Sequence, residues 1–92
     1  MKHLTLRIAG RVQGVFFRQS TAAKAQELGL SGWVRNEASG DVMIEVEGSE
    51  HTLAPFVAWC HHGPPHAQVT HVEVSEGPLT GMTGFHVASP AY

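Results

Sequence analysis

The amino-acid sequence predicts an α+β domain in which two helices pack on one face of a mainly antiparallel β-sheet. Several runs alternate apolar and polar side chains, which is typical of strands with one buried face. Between them lie two segments whose apolar side chains recur every three to four residues, which is typical of amphipathic helices. Glycines and prolines separate these segments. The predicted order is β-α-β-β-α-β, with a candidate fifth strand.

The first strand is predicted at residues 2–8 and is followed by a loop at residues 10–15. Every second side chain of the strand is apolar: Leu4, Leu6 and Ile8. Gly10 and Gly14 end the alternation, because glycine allows backbone conformations that other residues resist. A strand therefore leads into a shaped loop.

The first helix is predicted at residues 17–28, directly after this loop. Its apolar or small positions recur at helical spacing: Phe17, Thr21, Ala22, Ala25 and Leu28. The alanines raise helix propensity, and Gly29 supplies the C-terminal stop. Two further strands are predicted at residues 33–36 and 42–47, joined by a turn at residues 38–40. In the second of these, Val42, Ile44 and Val46 alternate with Met43, Glu45 and Glu47.

The second helix is predicted from an apolar stripe and from its stop signal. The stripe is Leu53, Phe56, Val57 and Cys60. Proline is comfortable only in a first turn, so this helix either begins near Thr52 or is bent at Pro55. A Gly-Pro-Pro run at residues 63–65 ends it. Val69, Val72 and Val74 then indicate a fourth strand whose uneven spacing predicts a bulge, and residues 84–87 are the candidate fifth strand.

This order is the split βαβ, or ferredoxin-like, arrangement. The right-handed crossover rule makes the first two strands parallel and inserts the third between them, so both parallel strands end at the same end of the sheet. The loop at residues 10–17 and Asn36 therefore meet there. Elements two strands apart are separated by roughly 10 Å, which leaves room for a phosphoryl group and a water molecule.

Length and composition limit what the protein can do. The chain has 92 residues, of which 42% are hydrophobic and 15% charged, and this predicts one folded domain spanning residues 1–92. A net charge of -2 argues against binding of extended nucleic acid. The single cysteine excludes an internal disulfide and fits a cytoplasmic location. Neither the alternating N-terminus nor the short apolar stretch at residues 53–60 predicts secretion or membrane association.

Arg18 occupies the first turn of the predicted first helix. Unpaired N–H groups and the helix dipole favour a tetrahedral anion at this position. A cation costs on the order of 0.3–1 kcal/mol against the dipole, and a bound phosphate reverses that cost. Guanidinium offers two parallel donors to phosphate oxygens, which makes Arg18 a candidate anion ligand.

Two segments resemble the signature sequences of the acylphosphatase family. The first is IAGRVQGVFFR at residues 8–18, and the second is GWVRN at residues 32–36, followed by Gly40, Val42 and Gly48. Both match throughout, including their internal spacing. Two independent patterns at the right separation are far more specific than a lone glycine pair.

The resemblance implies metal-independent hydrolysis of the carboxyl–phosphate bond of acyl phosphates to a carboxylate and inorganic phosphate, without a cofactor or covalent enzyme intermediate. It implies that Arg18 and the loop N–H groups bind the phosphoryl group, and that Asn36 positions the attacking water. The implied binding residues are Val12, Gln13, Gly14, Val15, Phe16, Phe17 and Arg18. We expect a small-molecule acyl phosphate as the only partner, acted on by a monomer.

Elementary chemistry agrees with these roles. The leaving carboxylate has an acid form with a pKa of about 4, so it departs without a strong general acid. A side-chain amide neither accepts nor supplies a proton at neutral pH, so the role of Asn36 is orientation, and the proton of the water passes to phosphoryl oxygens or to solvent. Glu37 is the next residue, and its carboxylate is expected to face the opposite side of the strand.

Two other functions remain open. One is a module of the same fold that binds a small anion without chemistry, and an assay of phosphate release separates it from an enzyme. The other is a binder of single-stranded RNA, because many β-α-β-β-α-β domains stack bases on aromatic residues of the sheet. Against it, the third strand presents Met43, Glu45 and Glu47 where aromatic and cationic side chains are needed.

Other candidate residues have simpler explanations. His61, His62 and His66 lie near a helix C-terminus, which welcomes cations, so they do not predict a metal site. Cys60 lies on the apolar stripe and is expected in the core. The remaining expectations concern aromatic residues. Trp33, Trp59 and Phe56 are expected in the core, and Phe16 at the mouth of the site.

Overall fold

The computed structural model describes residues 1–91 and contains a five-stranded sheet with two helices. The strands are β1 (Lys2–Arg11), β2 (Ser31–Asn36), β3 (Val42–Gly48), β4 (Gln68–Gly77) and β5 (Phe85–Val87), and the helices are α1 (Phe17–Glu27) and α2 (Glu50–Cys60). The strand order is β4-β1-β3-β2-β5, in which only β2 and β5 pair in parallel. The predicted insertion of β3 between β1 and β2 is confirmed, as is the fifth strand.

The core lies between the sheet and the helices. Ile44 at the centre of β3 pairs with Leu6 of β1 on one side and with Val34 of β2 on the other, and all three are fully buried. The helices contribute Phe17 and Phe56, also fully buried in practice at 1% and 0% exposure. Burial of each such side chain stabilises the fold by about 1.5–3 kcal/mol. This packing fixes the sheet against the two helices. It thereby positions the end of the sheet where β1 and β2 both finish.

The second helix begins earlier than its proline suggested. Ser49 is the N-cap, and its hydroxyl accepts a hydrogen bond from the Thr52 N–H at 3.3 Å. Of the two alternatives, the start near Thr52 is wrong, since the cap sets the boundary two residues earlier, whereas a bend where the helix continues through Pro55 stays a prediction. Pro55 has no N–H to donate to the preceding turn, which costs the helix one backbone hydrogen bond.

The predicted bulge in β4 is confirmed and lies where β1 leads into the loop. Ala9 pairs with His71 and Gly10 pairs with Val69, so β4 contains one extra residue at this point. Gly10 has φ 122°, and a Cβ there would lie 2.1 Å from the carbonyl oxygen of Gln68. Only glycine permits this close pairing, which directs the chain into the β1–α1 loop.

Of the three aromatic residues expected in the core, Phe56 is there and Trp33 is not. Val34 faces the helices, so its neighbour Trp33 faces the other side of the sheet, where it is half-buried beneath the Arg35 guanidinium at 4.7 Å from the ring centroid. Trp59 is also only half-buried and contacts Phe17, with ring centroids 5.7 Å apart.

No helix within residues 1–91 is long and apolar enough to cross a bilayer.

Glu47 anchors the segment that crosses the sheet face opposite the helices, between β4 and β5. Its side chain is 3% exposed. The carboxylate accepts hydrogen bonds from the N–H groups of Thr80 at 2.6 Å, Gly81 at 3.2 Å and Met82 at 3.0 Å, and from the His3 ring at 2.7 Å. The other ring nitrogen of His3 contacts the carboxylate of Glu45. One buried acid therefore ties the C-terminal segment to the sheet.

These contacts shift two pKa values in opposite directions. The N–H of Thr80, followed by the ring of His3, lowers the pKa of Glu47 to about 2. Burial opposes protonation of His3, but its hydrogen bonds to Glu47 and Glu45 outweigh burial and raise the pKa of His3 above 6.5. Ionised Glu47 thus contributes stability that is lost as the pH falls from 4.5 towards 2, and protonated His3 contributes stability that is lost as the pH rises through its folded pKa.

We expect E47Q to lower the urea midpoint at pH 7, because the amide replaces an acceptor of several converging hydrogen bonds. The difference from wild type should shrink as the pH falls from 4.5 towards 2, where the wild-type carboxylate itself becomes protonated. Urea unfolding at a series of pH values measures both effects. E27Q is the control, because the Glu27 side chain is 65% exposed and contributes little. A constant difference between E47Q and wild type at all pH values would contradict the assignment.

Candidate active site

The β1–α1 loop, residues 12–16, is held against the core by its apolar side chains. Val12 is 1% exposed and Val15 is 9% exposed, and Phe17 at the start of α1 is 1% exposed. These three predicted binding residues therefore offer only their backbone to a ligand. Packing of this kind fixes the direction of the intervening N–H groups.

The N–H groups of the loop have no partner within the part of the chain that the structure describes. Within residues 1–91, no N–H of residues 12–18 donates a hydrogen bond to another group. Gly14 has φ 75° and Phe16 has φ 64°, so left-handed residues are interleaved with others along the loop. Successive N–H groups in such a sequence of conformations form a concave anion-binding surface. No acidic residue occupies the first turn of α1 to neutralise it.

Phe16 is the one non-glycine residue among residues 1–91 with a positive φ. Left-handed backbone at an ordinary residue costs of order 1–3 kcal/mol and persists where the surroundings require it. As N-cap of α1, Phe16 offers no side-chain hydrogen bond, and its ring is 73% exposed. The strain therefore serves the loop geometry and leaves an aromatic ring at the mouth of the site, as expected from the sequence.

Arg18 lies beside a small pocket formed by the loop and the first turn of α1, which we name the phosphate pocket. It has a volume of about 170 Å³. Its lining is Val12, Gly14, Phe16, Phe17, Arg18 and Gln19. This volume leaves room for a tetrahedral anion, since a single water occupies roughly 30 Å³ in the liquid. Within residues 1–91 the Arg18 guanidinium forms no ion pair, so its charge is available to a ligand.

Asn36 is the last residue of β2 and lies at the end of the sheet where β1 also ends. It pairs with Val42, which in turn pairs with Ile8, so its side chain shares the helix-facing side of the sheet with theirs. The residue is 6% exposed, and its Oδ1 is buried without a hydrogen-bond partner within residues 1–91. A buried, unpaired acceptor costs about 1–3 kcal/mol, and rotation of the amide that brings Oδ1 into reach of a donating water removes that cost.

Gln13 joins the loop to the neighbourhood of Asn36. Its Nε2 donates to the carbonyl oxygens of Glu37 and Asp41, each at 2.9 Å. These two residues flank the β2–β3 turn, and the Ala91 N–H donates to the carbonyl of Asn36 itself at 3.1 Å. The sequence assigned Gln13 only a backbone role. Its side chain is also a tether between the loop and the β2–β3 turn. No local pattern in the sequence predicts this contact.

Glu37 faces away from the site, as its alternation with Asn36 predicts. Its carboxylate accepts a hydrogen bond from Arg35 Nε at 2.8 Å and lies 3.7 Å from Arg7 on the opposite face of the sheet. Two cations therefore neutralise it. The charge of this carboxylate is thus compensated on the side of the sheet away from Asn36.

The structure thus brings the predicted site residues to one end of the sheet, in two groups. The loop, Arg18 and the helix N-terminus form the phosphate pocket. Asn36 does not line that pocket, and the Gln13 side chain connects the loop to Glu37, the residue that follows Asn36.

The histidines and the cysteine lie apart from this arrangement. His61 Nδ1 bonds to the Val57 carbonyl at 3.0 Å near the end of α2. In the described part of the chain, no three His, Cys, Asp or Glu side chains are close enough together to hold a metal ion. Cys60 is fully buried in the core as expected, and burial raises the pKa of its thiol to about 12. Its thiol is therefore not a nucleophile at neutral pH.

Comparison with known families decides the relationship. The family model for acylphosphatase matches residues 4–87. The chain belongs to the acylphosphatase family. The resemblance seen in residues 8–18 and 32–36 is thereby confirmed over most of the chain.

Individual family members agree in sequence and fold. The acylphosphatase of Rubrobacter xylanophilus is 51% identical over 87 residues, covering 94% of this chain and 79% of the relative. The crystal structure of acylphosphatase from Bacillus subtilis matches with a TM-score of 0.93 at 37% identity, covering 96% of this chain and 99% of that one. An acylphosphatase structure from Coxiella burnetii gives a TM-score of 0.91 at 37% identity, covering 95% and 92%. The ferredoxin-like α+β fold is confirmed.

Proposed function

We propose that this acylphosphatase hydrolyses the carboxyl–phosphate bond of acyl phosphates, with Arg18 and the loop N–H groups holding the phosphoryl group and Asn36 orienting the attacking water. Family membership supports the reaction. The observation that carries the residue assignment is the Oδ1 of Asn36, which has no partner within residues 1–91 and becomes accessible to a water when the amide rotates, next to a turn that Gln13 joins to the loop.

Binding of the phosphoryl group rests on positive charge from two sources. The free N–H groups and the dipole of α1 converge on the phosphate pocket, and Arg18 adds two charge-assisted donors. In the transition state negative charge is spread over the equatorial oxygens of the transferred group. Preorganised donors that meet these oxygens lower the barrier without reorganising during the reaction.

Attack by water completes the step. A water that donates one hydrogen to Asn36 Oδ1 directs a lone pair towards phosphorus, and the carboxylate leaves from the opposite side. The carboxylate needs no strong acid, because its acid form has a pKa of about 4. The proton of the water passes to a phosphoryl oxygen or to solvent. Neither a metal ion nor an enzyme nucleophile is required by this sequence of events.

We expect the purified protein to release phosphate from benzoyl phosphate or acetyl phosphate, and not from a phosphate monoester or a nucleoside triphosphate. The last two have poorer leaving groups, and Asn36 is no general acid to assist them. Phosphate release is measured for each compound with and without a chelator, and activity on the acyl phosphates should be indifferent to chelation. Binding of phosphate without turnover would instead favour an anion-binding module.

We also propose a cytoplasmic location and a monomeric state. The free, buried thiol of Cys60 supports a reducing compartment. Support for a monomer comes from the exposed large apolar side chains within residues 1–91, which belong to different elements of the fold. They are Met1, Phe16, Val74, Leu79 and Val87. Sedimentation or light scattering of the purified chain tests the monomer.

A further inference from the structure

A second, larger cavity adjoins the phosphate pocket, and we name it the acyl groove. Its volume is about 490 Å³, against about 170 Å³ for the phosphate pocket. The two cavities share Gly14 and Phe16 of the β1–α1 loop. The remaining wall consists mainly of the end of β1 and the segment that enters β4, namely Arg11, Pro65, His66, Ala67 and Gln68.

The position of the groove suits a leaving group. The strand order β4-β1-β3-β2 places Asn36 of β2 on one side of the β1–α1 loop, and the β1/β4 wall of the groove on the other. In-line displacement at phosphorus requires the attacking and leaving oxygens on opposite sides. If Asn36 directs water from the β2 side, the acyl group departs on the β4 side, into the groove.

The charge of the groove selects among acyl groups. Its lining contains Arg11, His66 and Gln68 but no Asp or Glu. Arg11 is exposed and forms no ion pair within residues 1–91, although Arg7 and Arg35 both do. A free guanidinium with no competing carboxylate in the lining favours an anionic group at the far end of the ligand.

The apolar part of the lining accounts for the rest of the ligand. The exposed ring of Phe16 stands between the two cavities, held there by its left-handed backbone. An aromatic ring at this point packs against an acyl group that is longer than acetyl, and offset contact between rings adds to that packing. Because Phe16 and Arg11 both line the groove, an acyl group that packs on the ring can reach Arg11 with its far end.

We propose that the acyl groove binds the leaving group and that Arg11 makes the enzyme prefer acyl phosphates whose acyl part carries a second anion. This inference rests on the proposed function, since it assigns the departing half of the same substrate. The reaction is unchanged: water attacks phosphorus, the P–O bond to the carboxyl group breaks, and a dicarboxylate and inorganic phosphate are the products.

The test compares two rigid substrates of matched size, 4-carboxybenzoyl phosphate and 4-methylbenzoyl phosphate. We expect wild type to show the higher kcat/KM for the carboxylate substrate, and R11Q to lower the ratio of the two kcat/KM values by about threefold to tenfold. Added salt should lower the ratio in wild type and much less in R11Q, because the groove is open to solvent. The ratio within one protein cancels its folded fraction, and comparison of the ratio between wild type and R11Q cancels the difference in intrinsic reactivity of the two substrates.

Two further variants make the result specific. K24Q changes the net charge equally on the far end of α1, and it should leave the ratio unchanged. Q68E places a carboxylate directly opposite Arg11, its cross-strand partner, and should lower the ratio as R11Q does. Turnover of both substrates with a ratio unaffected by R11Q and Q68E would overturn the groove assignment alone. If wild type hydrolyses neither of the two substrates, the proposed function itself is overturned.

Discussion

Replacing Asn36 with alanine should reduce kcat for acyl phosphate hydrolysis by on the order of 100-fold, the cost of an unaligned nucleophile. Competitive inhibition by inorganic phosphate should persist with an unchanged inhibition constant, because Asn36 does not line the phosphate pocket. Steady-state kinetics with benzoyl phosphate, with phosphate as inhibitor, separate the two effects. A residue that bound the phosphoryl group directly would instead raise KM and the inhibition constant.

The stability of N36A provides a control against a structural role. The Oδ1 of Asn36 is buried and makes no hydrogen bond within residues 1–91, so alanine removes an unpaired polar group rather than a contact. The melting temperature of N36A should therefore equal or exceed that of wild type. Strong residual activity in purified N36A would refute the water-positioning role. A large loss of stability alongside the loss of activity would show that the amide holds the fold.

Replacing Arg18 with glutamine should impair both binding and turnover. We expect the inhibition constant of inorganic phosphate to rise by about tenfold to 100-fold, which corresponds to hydrogen bonds between charged groups. The kcat should fall as well, since charge on the equatorial oxygens grows in the transition state. R18K should recover part of the affinity, because a lysine supplies the charge without the paired donors of guanidinium.

Two controls accompany R18Q. K24Q carries the same change of net charge near the other end of α1 and should leave the inhibition constant unchanged. Without phosphate, R18Q should be more stable than wild type by about 0.3–1 kcal/mol, because a cation no longer opposes the helix dipole. An inhibition constant equal to that of wild type in R18Q would exclude Arg18 as a phosphate ligand.

Several features of the site follow from the sequence alone because they depend on chain topology. Alternation in residues 2–8 and 42–47 predicts the strands, and the crossover rule then predicts that the loop and Asn36 share one end of the sheet. Glu37 faces away for the same reason that Asn36 faces in. These predictions require only a period of two and the handedness of a crossover.

Features that depend on tertiary contacts could not be predicted from the sequence. The left-handed backbone of Phe16 contradicts its local preference, and it occurs between the buried residues Val15 and Phe17. The Gln13 side chain reaches carbonyl groups more than twenty residues away in sequence. Trp33 was expected in the core on hydrophobicity alone. Side chains alternate along β2, and Val34 rather than Trp33 faces the helices.

In this account the loop and Arg18 bind the phosphoryl group, and Asn36 orients the attacking water. A crystal structure with inorganic phosphate bound tests it most directly. We predict phosphate in the phosphate pocket, bound by N–H groups of residues 12–18 and by the Arg18 guanidinium, with an ordered water donating to Asn36 Oδ1 and facing the phosphorus. Phosphate bound elsewhere, or an Asn36 amide turned away from it with no water between, would contradict the account.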